Sequence, residues 1–235
     1  MQLIIAKDYD DMSKKAATII AAQVIKKPDC ILGLATGSSP IGTYAELVKM
    51  YEAGTLDFSK VSSYNLDEYF GTPRTDTNSY YYFMHENLFD LVNIDGANTH
   101  LPNGMAEDAE VECKEYEASI DAVGGVDLQL LGIGPNGHIG FNEPADVFAP
   151  VTQHIELTDS TIDANARFYA SRDEVPTSAL TMGIGTIMKA KSVLLVAGAN
   201  KKDIVEQAVY GPVDPQIPAS ILQYHPDATI ILCAE

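Results

Sequence analysis

The feature that most constrains this chain is a set of short, nearly continuous apolar runs. Cys30 to Ala35, Val126 to Ile133, Ser192 to Gly198 and Ala228 to Cys233 each have the length of one strand. A strand with no polar face belongs inside a parallel sheet covered on both sides. Residues 2–6 and Val61 to Leu66 read as further strands, and Val151 to Leu157 as an extended edge segment. Between them lie stretches of helical periodicity. The first is capped by Asp10 or Ser13 and runs to about Lys27, with Ala16, Ala17, Ile20 and Val24 as its apolar stripe. Others span Ile41 to Ala53, Asn78 or Ser79 to Leu91, residues 106–123, Pro176 to Lys191 and Asn200 to Tyr210. Buried strands alternating with helices predict an α/β fold. The expected architecture is a doubly wound, mostly parallel, Rossmann-like sheet flanked by helices, in a single domain over residues 1–235.

Charge narrows the partners. Fifteen Lys and Arg stand against 33 Asp and Glu, a formal charge of −18. Such a surface repels phosphate backbones and anionic lipid, so neither nucleic acid nor membrane is expected. A basic residue that does touch a ligand gains interest. The three cysteines (Cys30, Cys113 and Cys233) are widely spaced without a C-x-x-C pair, as buried reduced thiols would be. The opening apolar stretch is too short for a signal segment, and a cytoplasmic location is expected.

The richest stretch runs from Val126 to Pro144. A strand gives way to a turn with glycines at 132, 134, 137 and 140, and Pro135 excludes a regular ladder or helix there. Out of this turn come Asn136, His138, Asn142 and Glu143. In an open α/β sheet such loops meet beyond the carboxyl ends of the strands, where ligands bind. A histidine with a carboxylate five residues on suits acid–base chemistry near neutral pH. Gly132-Ile-Gly-Pro-Asn-Gly137 also matches G-x-G-x-x-G, but a dinucleotide site needs a helix at once, and Gly140, Asn142 and Pro144 follow instead. A structural turn with a satisfied histidine is the plainer alternative. One His and one Glu are too few for zinc or a facial triad, so no metal is expected.

Three more strand ends carry polar residues. Thr36-Gly37-Ser38-Ser39 leads into a helix and offers amides, hydroxyls and a positive dipole end, for which phosphate is the natural guest. An ordinary N-capped turn fits that stretch as well. In Asn65-Leu66-Asp67-Glu68-Tyr69, alternation sends Asn65, Asp67 and Tyr69 to one side. If that side faces the cleft, Asp67 is the candidate general base and Glu68 a structural partner. Lys201, after the strand ending at Gly198, and Arg167 suit an anionic ligand, or are surface cations.

Taken in order, Ala35-Thr-Gly-Ser-Ser-Pro40, Asn65-Leu-Asp-Glu-Tyr69, the run Gly132 to Pro144, Asn165-Ala-Arg-Phe168 and Gly198-Ala-Asn-Lys201 resemble the glucosamine-6-phosphate deaminase family. The Gly137-His-Ile-Gly-Phe-Asn-Glu-Pro144 segment is the specific part, since the related 6-phosphogluconolactonases share the fold and the Gly-His but lack Asn-Glu-Pro. The resemblance implies conversion of glucosamine 6-phosphate and water to fructose 6-phosphate and ammonia in amino-sugar breakdown, without metal or organic cofactor. His138 would open the sugar ring, Asp67 would move the proton from C2 to C1, and Glu143 would hold the His138 tautomer. Asn136, where some members carry Asp, would orient His138 without adding charge. Thr36, Gly37, Ser38, Ser39, Gly137, Arg167 and Lys201 would bind the substrate and its phosphate.

Two departures accompany the resemblance. Some members are hexamers activated by N-acetylglucosamine 6-phosphate through basic residues after Asn-Glu-Pro. Here no Lys or Arg occurs from Ala145 until Arg167, and the C-terminal extension of those members is missing. The expectation is a monomer or small homo-oligomer without that activation. A lactonase of a related sugar phosphate and a non-catalytic sugar-phosphate-binding regulator are the competing functions. The presence of Asp67, His138 and Glu143 together speaks against the regulator.

Overall fold

A computed structural model describes residues 1–166, 169 and 171–235 of the chain. The first half contains β1 (Gln2–Ala6), α1 (Tyr9–Lys26), β2 (Ile31–Leu34), α2 (Ile41–Glu52), β3 (Ser62–Asn65), β4 (Asp67–Tyr69), α3 (Tyr80–Asn87), β5 (Thr99–His100) and α4 (Ala109–Ala122). The second contains β6 (Leu128–Leu131), β7 (Gln153–Glu156), α5 (Asp159–Asn165), β8 (Ser178–Thr181), α6 (Ile184–Met188), β9 (Ser192–Ala197), α7 (Lys202–Tyr210) and β10 (Ala228–Cys233).

Seven strands form the central sheet in the order β1-β10-β9-β6-β2-β3-β5, and every pairing in it is parallel. With helices flanking it, this is the doubly wound α/β architecture that the apolar runs predict. Leu32, Leu34, Leu130 and Leu131 of the central strands are at most 1% exposed, and Met12 and Ile20 of α1 are fully buried with them. Each such side chain contributes roughly 1.5–3 kcal/mol by leaving water. At the amino ends of the strands, buried Asp127 accepts bonds from Lys27 Nζ (2.7 Å), Lys191 Nζ (2.6 Å) and the Ile31 amide (2.8 Å), tying the starts of β2, β6 and β9 together. Strand order reverses between β2 and β6: β2 connects to β3 on one side, and β6 leads to β9 on the other. That reversal opens a crevice at the carboxyl ends of these two strands.

The details depart from expectation in three places. Asp8, not Asp10 or Ser13, caps α1, its carboxylate accepting the Asp11 amide at 2.8 Å. The helix expected over Pro176 to Lys191 is strand β8 followed by the five-residue α6. Ser178–Thr181 is drawn into a second, three-stranded antiparallel sheet, β4-β8-β7, whose pairing overrides the local periodicity. Finally, strict alternation through residues 65–69 breaks at Leu66. Its amide donates to Leu34 O (3.0 Å) in the large sheet, while its carbonyl accepts Met182 N–H (2.7 Å) beside the small one. The chain changes sheets there, and the expected shared side for Asn65 and Asp67 is lost: Asp67 faces the crevice with Leu66, whereas Asn65 is buried away from it.

Candidate active site

The crevice holds a cavity of ≈ 300 Å³. Its walls are the Ala35–Ser39 turn after β2, Leu66 and Asp67 at the sheet crossing, and the Gly132–Phe141 loop after β6, with Tyr80, Thr161, Asn165 and Lys201 closing it. Thus Thr36, Gly37, Ser38, Ser39, Asp67, Asn136, His138 and Lys201, far apart in the chain, share one lining. Glu143 stands behind His138. Gly137 does not line the cavity: its N–H bonds to Gly134 O (3.1 Å), its carbonyl accepts Ala219 N–H (2.9 Å), and Ile217 packs on it. Arg167 lies outside the described residues.

The loop after β6 is braced on itself and on β8. The Gly134 amide donates to His138 O (2.9 Å), and Asn142 Nδ2 bonds both Ile139 O (2.9 Å) and Met182 O (2.8 Å). Phe141 N–H reaches Thr181 Oγ1 at 3.0 Å. His138 folds its ring against Gly134, where any β-carbon would stand 2.2 Å from Nε2, so only glycine admits the imidazole. Glu143 Oε1 lies 3.2 Å from His138 Nδ1, close but off the line of a hydrogen bond. Asn136 bridges the pair: its Oδ1 accepts the His138 amide (3.2 Å) and its Nδ2 donates to Glu143 Oε2 (2.5 Å). Burial would raise the Glu143 carboxyl. The neighbouring His138 ring and bonds from Thr161 and Asn136 outweigh it and bring the carboxyl down to about 2. Glu143 is therefore a fixed anion beside an imidazole.

Asp67 and Glu68 are adjacent, both buried, and held differently. Glu68 accepts three backbone amides, those of Tyr69, Tyr80 and Tyr81, each at 2.9 Å, and so joins β4 to the first turn of α3. Burial raises its carboxyl, while these amides favour the charged form. Asp67 takes no hydrogen bond among the described residues. Burial, with Glu68 beside it, pushes its carboxyl up to about 8. A carboxylate so poorly solvated is a strong base, and it projects into the same cavity as His138.

The opposite wall suits an anion. Among the described residues no side chain caps α2, whose N-cap is Pro40, so Ser38 and Ser39 are not the N-cap of an ordinary turn. The Tyr9 hydroxyl accepts the Gly42 amide (2.8 Å) and donates to Ser38 O (2.9 Å), holding the turn to α1. Gly37 has φ +93° with open space where a side chain would be, so its backbone lies bare to the cavity. Lys201, just ahead of α7, brings positive charge to the rim. Among the described residues no group of three or more His, Cys, Asp or Glu is placed to hold a metal ion, and no helix is long and apolar enough to cross a membrane. Sequence reasoning missed Tyr80, Asn165 and Thr161. Thr161 donates its hydroxyl to Glu143 from eighteen residues away, a pairing no local spacing announces.

Fold and crevice together define a doubly wound α/β protein with a polar-lined cavity at its strand-order reversal. The family of glucosamine-6-phosphate isomerases/6-phosphogluconolactonase matches over residues 7–231, and the chain belongs to that family. It is 59% identical to a glucosamine-6-phosphate deaminase of Lachnoclostridium phytofermentans over the whole of both chains. A glucosamine-6-phosphate deaminase of Clostridioides difficile is 58% identical, over 99% of this chain and 94% of the relative. Among solved structures, a monomeric glucosamine-6-phosphate deaminase superposes with a TM-score of 0.97 at 41% identity, covering 99% of this chain and 97% of the other.

Proposed function

We propose that this protein converts glucosamine 6-phosphate and water to fructose 6-phosphate and ammonia. The observation that carries the reading is one cavity walled by His138 backed by the Glu143 anion, by the buried base Asp67, and by the uncapped Thr36–Ser39 turn with Lys201. The sugar phosphate would lay its phosphate on Thr36, the Gly37 to Ser39 amides and hydroxyls, and Lys201; Arg167 keeps its proposed part as a second cation. His138 would take the proton of the anomeric hydroxyl and return one to the ring oxygen, breaking the C1–O5 bond. Asp67 would then remove the C2 proton and deliver it to C1 while one amine proton passes to O1, leaving a C2 imine that water hydrolyses to ketone and ammonia. Asn136 and Glu143 would keep the imidazole in one tautomer throughout. Every step moves protons and water only, so no cofactor is required.

The same reading covers residues 1–235 as one domain acting in cytoplasmic amino-sugar breakdown. It takes the protein as a monomer or small homo-oligomer without activation by N-acetylglucosamine 6-phosphate, supported by the monomeric relative and the absence of Lys and Arg over residues 145–166. The test is ammonia release by purified protein with EDTA present, fructose 6-phosphate appearing in equal amount. A hyperbolic rate curve that N-acetylglucosamine 6-phosphate leaves unchanged is expected. No ammonia from folded protein would remove the proposal, and 6-phosphogluconolactone hydrolysis would then be measured.

The contact at Gly134 gives a steric test. Gly134→Ala puts a methyl 2.2 Å from His138 Nε2, so the ring must move aside. Misplacing a catalytic group by about 1 Å costs on the order of 10²-fold. Turnover is expected to fall by about that factor, with the melting temperature within a few degrees of wild type; unchanged turnover would show that the ring's position does not matter.

A further inference from the structure

We propose that Thr161 is a positioning residue for the acid–base pair, its hydroxyl fixing Glu143 against His138 and tying that pair to helix α5. The inference deepens the proposed deaminase reading and rests on it. Glu143 carries its carboxylate on a terminal torsion that has no sharp preference of its own, so its plane is set by its hydrogen-bond partners. Two donors hold it. Asn136 Nδ2 takes Oε2 at 2.5 Å, and the Thr161 hydroxyl takes Oε1, the same oxygen that lies 3.2 Å from His138 Nδ1. Asn136 belongs to the same loop as Glu143 and moves with it. Thr161 comes from another element and registers the loop against α5.

The direction of this bond is set from behind. Thr158, the N-cap of α5, accepts the Thr161 amide (3.3 Å) and donates its hydroxyl to Thr161 Oγ1 at 3.1 Å. Thr161 is left with one proton to give, and Glu143 receives it. Thr161 is 6% exposed and lines the cavity beside Asn165 of the same helix, so a shift of α5 would reach the imidazole through one hydrogen bond. A donor on Oε1 also lowers the proton affinity of that oxygen. Glu143 then orients the ring without taking its proton, as the carboxylate behind a catalytic histidine does.

The test compares Thr161→Val, which keeps the shape and deletes the hydroxyl, with Thr161→Ser, which restores it. We expect Thr161→Val to lower kcat by about tenfold with KM within about twofold, the signature of an interaction that serves the reacting geometry rather than ground-state binding. The His138 ring-nitrogen resonances should move in Thr161→Val and return in Thr161→Ser. Wild-type kcat in Thr161→Val overturns the proposal, as does Thr161→Ser falling as far as Thr161→Val. A rise in KM alone would make Thr161 a ligand contact instead. Should Thr161→Val not fold, Thr161→Ala is read by the same criteria. If wild-type protein releases no ammonia from glucosamine 6-phosphate, the deaminase reading fails, and the ring resonances, which need no turnover, still judge Thr161.

Discussion

Replacing Asp67 with Asn should reduce turnover of glucosamine 6-phosphate by about 10³-fold or more while sugar-phosphate binding stays close to wild type, because general-base transfer supplies up to about 10⁴-fold. Asn keeps the size and polarity of the side chain and removes only its capacity to accept the C2 proton. Equilibrium binding and single-turnover rates separate the two effects. Near-normal rates would show that the base is elsewhere. The same carboxyl gives a pH expectation for the wild type. Burial and Glu68 push its pKa up to about 8. Since kcat/KM reports the free protein, its acid limb should rise toward pH 8 rather than level off near 4. Stability follows the opposite course. A raised pKa means that the stability associated with protonated Asp67 is complete below the unfolded value near 4 and is lost as pH climbs through about 8. Asp67→Asn should therefore gain in melting temperature relative to wild type across that window and hold the gain above it. A gap independent of pH would place the ionisation elsewhere.

His138→Gln should cost about 10²–10³-fold in kcat, the usual range for losing a general acid–base group. Gln fits beside Gly134 but cannot exchange a proton between the anomeric hydroxyl and the ring oxygen. The loss belongs to ring opening and to no later step. With substrate deuterated at C2, an isotope effect seen in wild type should shrink toward one in the variant, because ring opening becomes limiting. An acyclic analogue such as 2-amino-2-deoxyglucitol 6-phosphate should bind both proteins alike. An isotope effect that persists in full would instead assign His138 to the C2 proton and displace Asp67 from that role.

Several chemical groups could be read along the chain because each is a local pattern. His138 and Glu143 lie within one turn, and period-two strands and glycine turns are fixed by neighbouring residues. The same locality explains the misses. Pro176 to Lys191 has helical periodicity, yet Ser178–Thr181 gains more by pairing with β4 and β7, partners about 110 and 25 residues away in sequence. Gly137 sits in the correct motif, but whether its N–H faces a ligand or Gly134 O depends on how the turn closes under Ile217. Asp67 was singled out although the alternation behind that choice breaks at Leu66.

What the sequence by itself determined is the layered fold and the chemical inventory at the strand ends. Apolar runs of strand length must be buried on both faces, and loops that follow parallel strands emerge on one side of the sheet. Tertiary structure alone decided which of those groups meet and in what electrostatic state. The strand-order reversal between β2 and β6 brings the Thr36–Ser39 turn opposite His138. Among the described residues, the crossing at Leu66 buries Asp67 without a donor, while its neighbour Glu68 receives three. Helix α5 delivers the Thr161 hydroxyl to Glu143. Hydrogen bonds, desolvation and charge act over a few ångströms in space, and separation along the chain does not encode that distance.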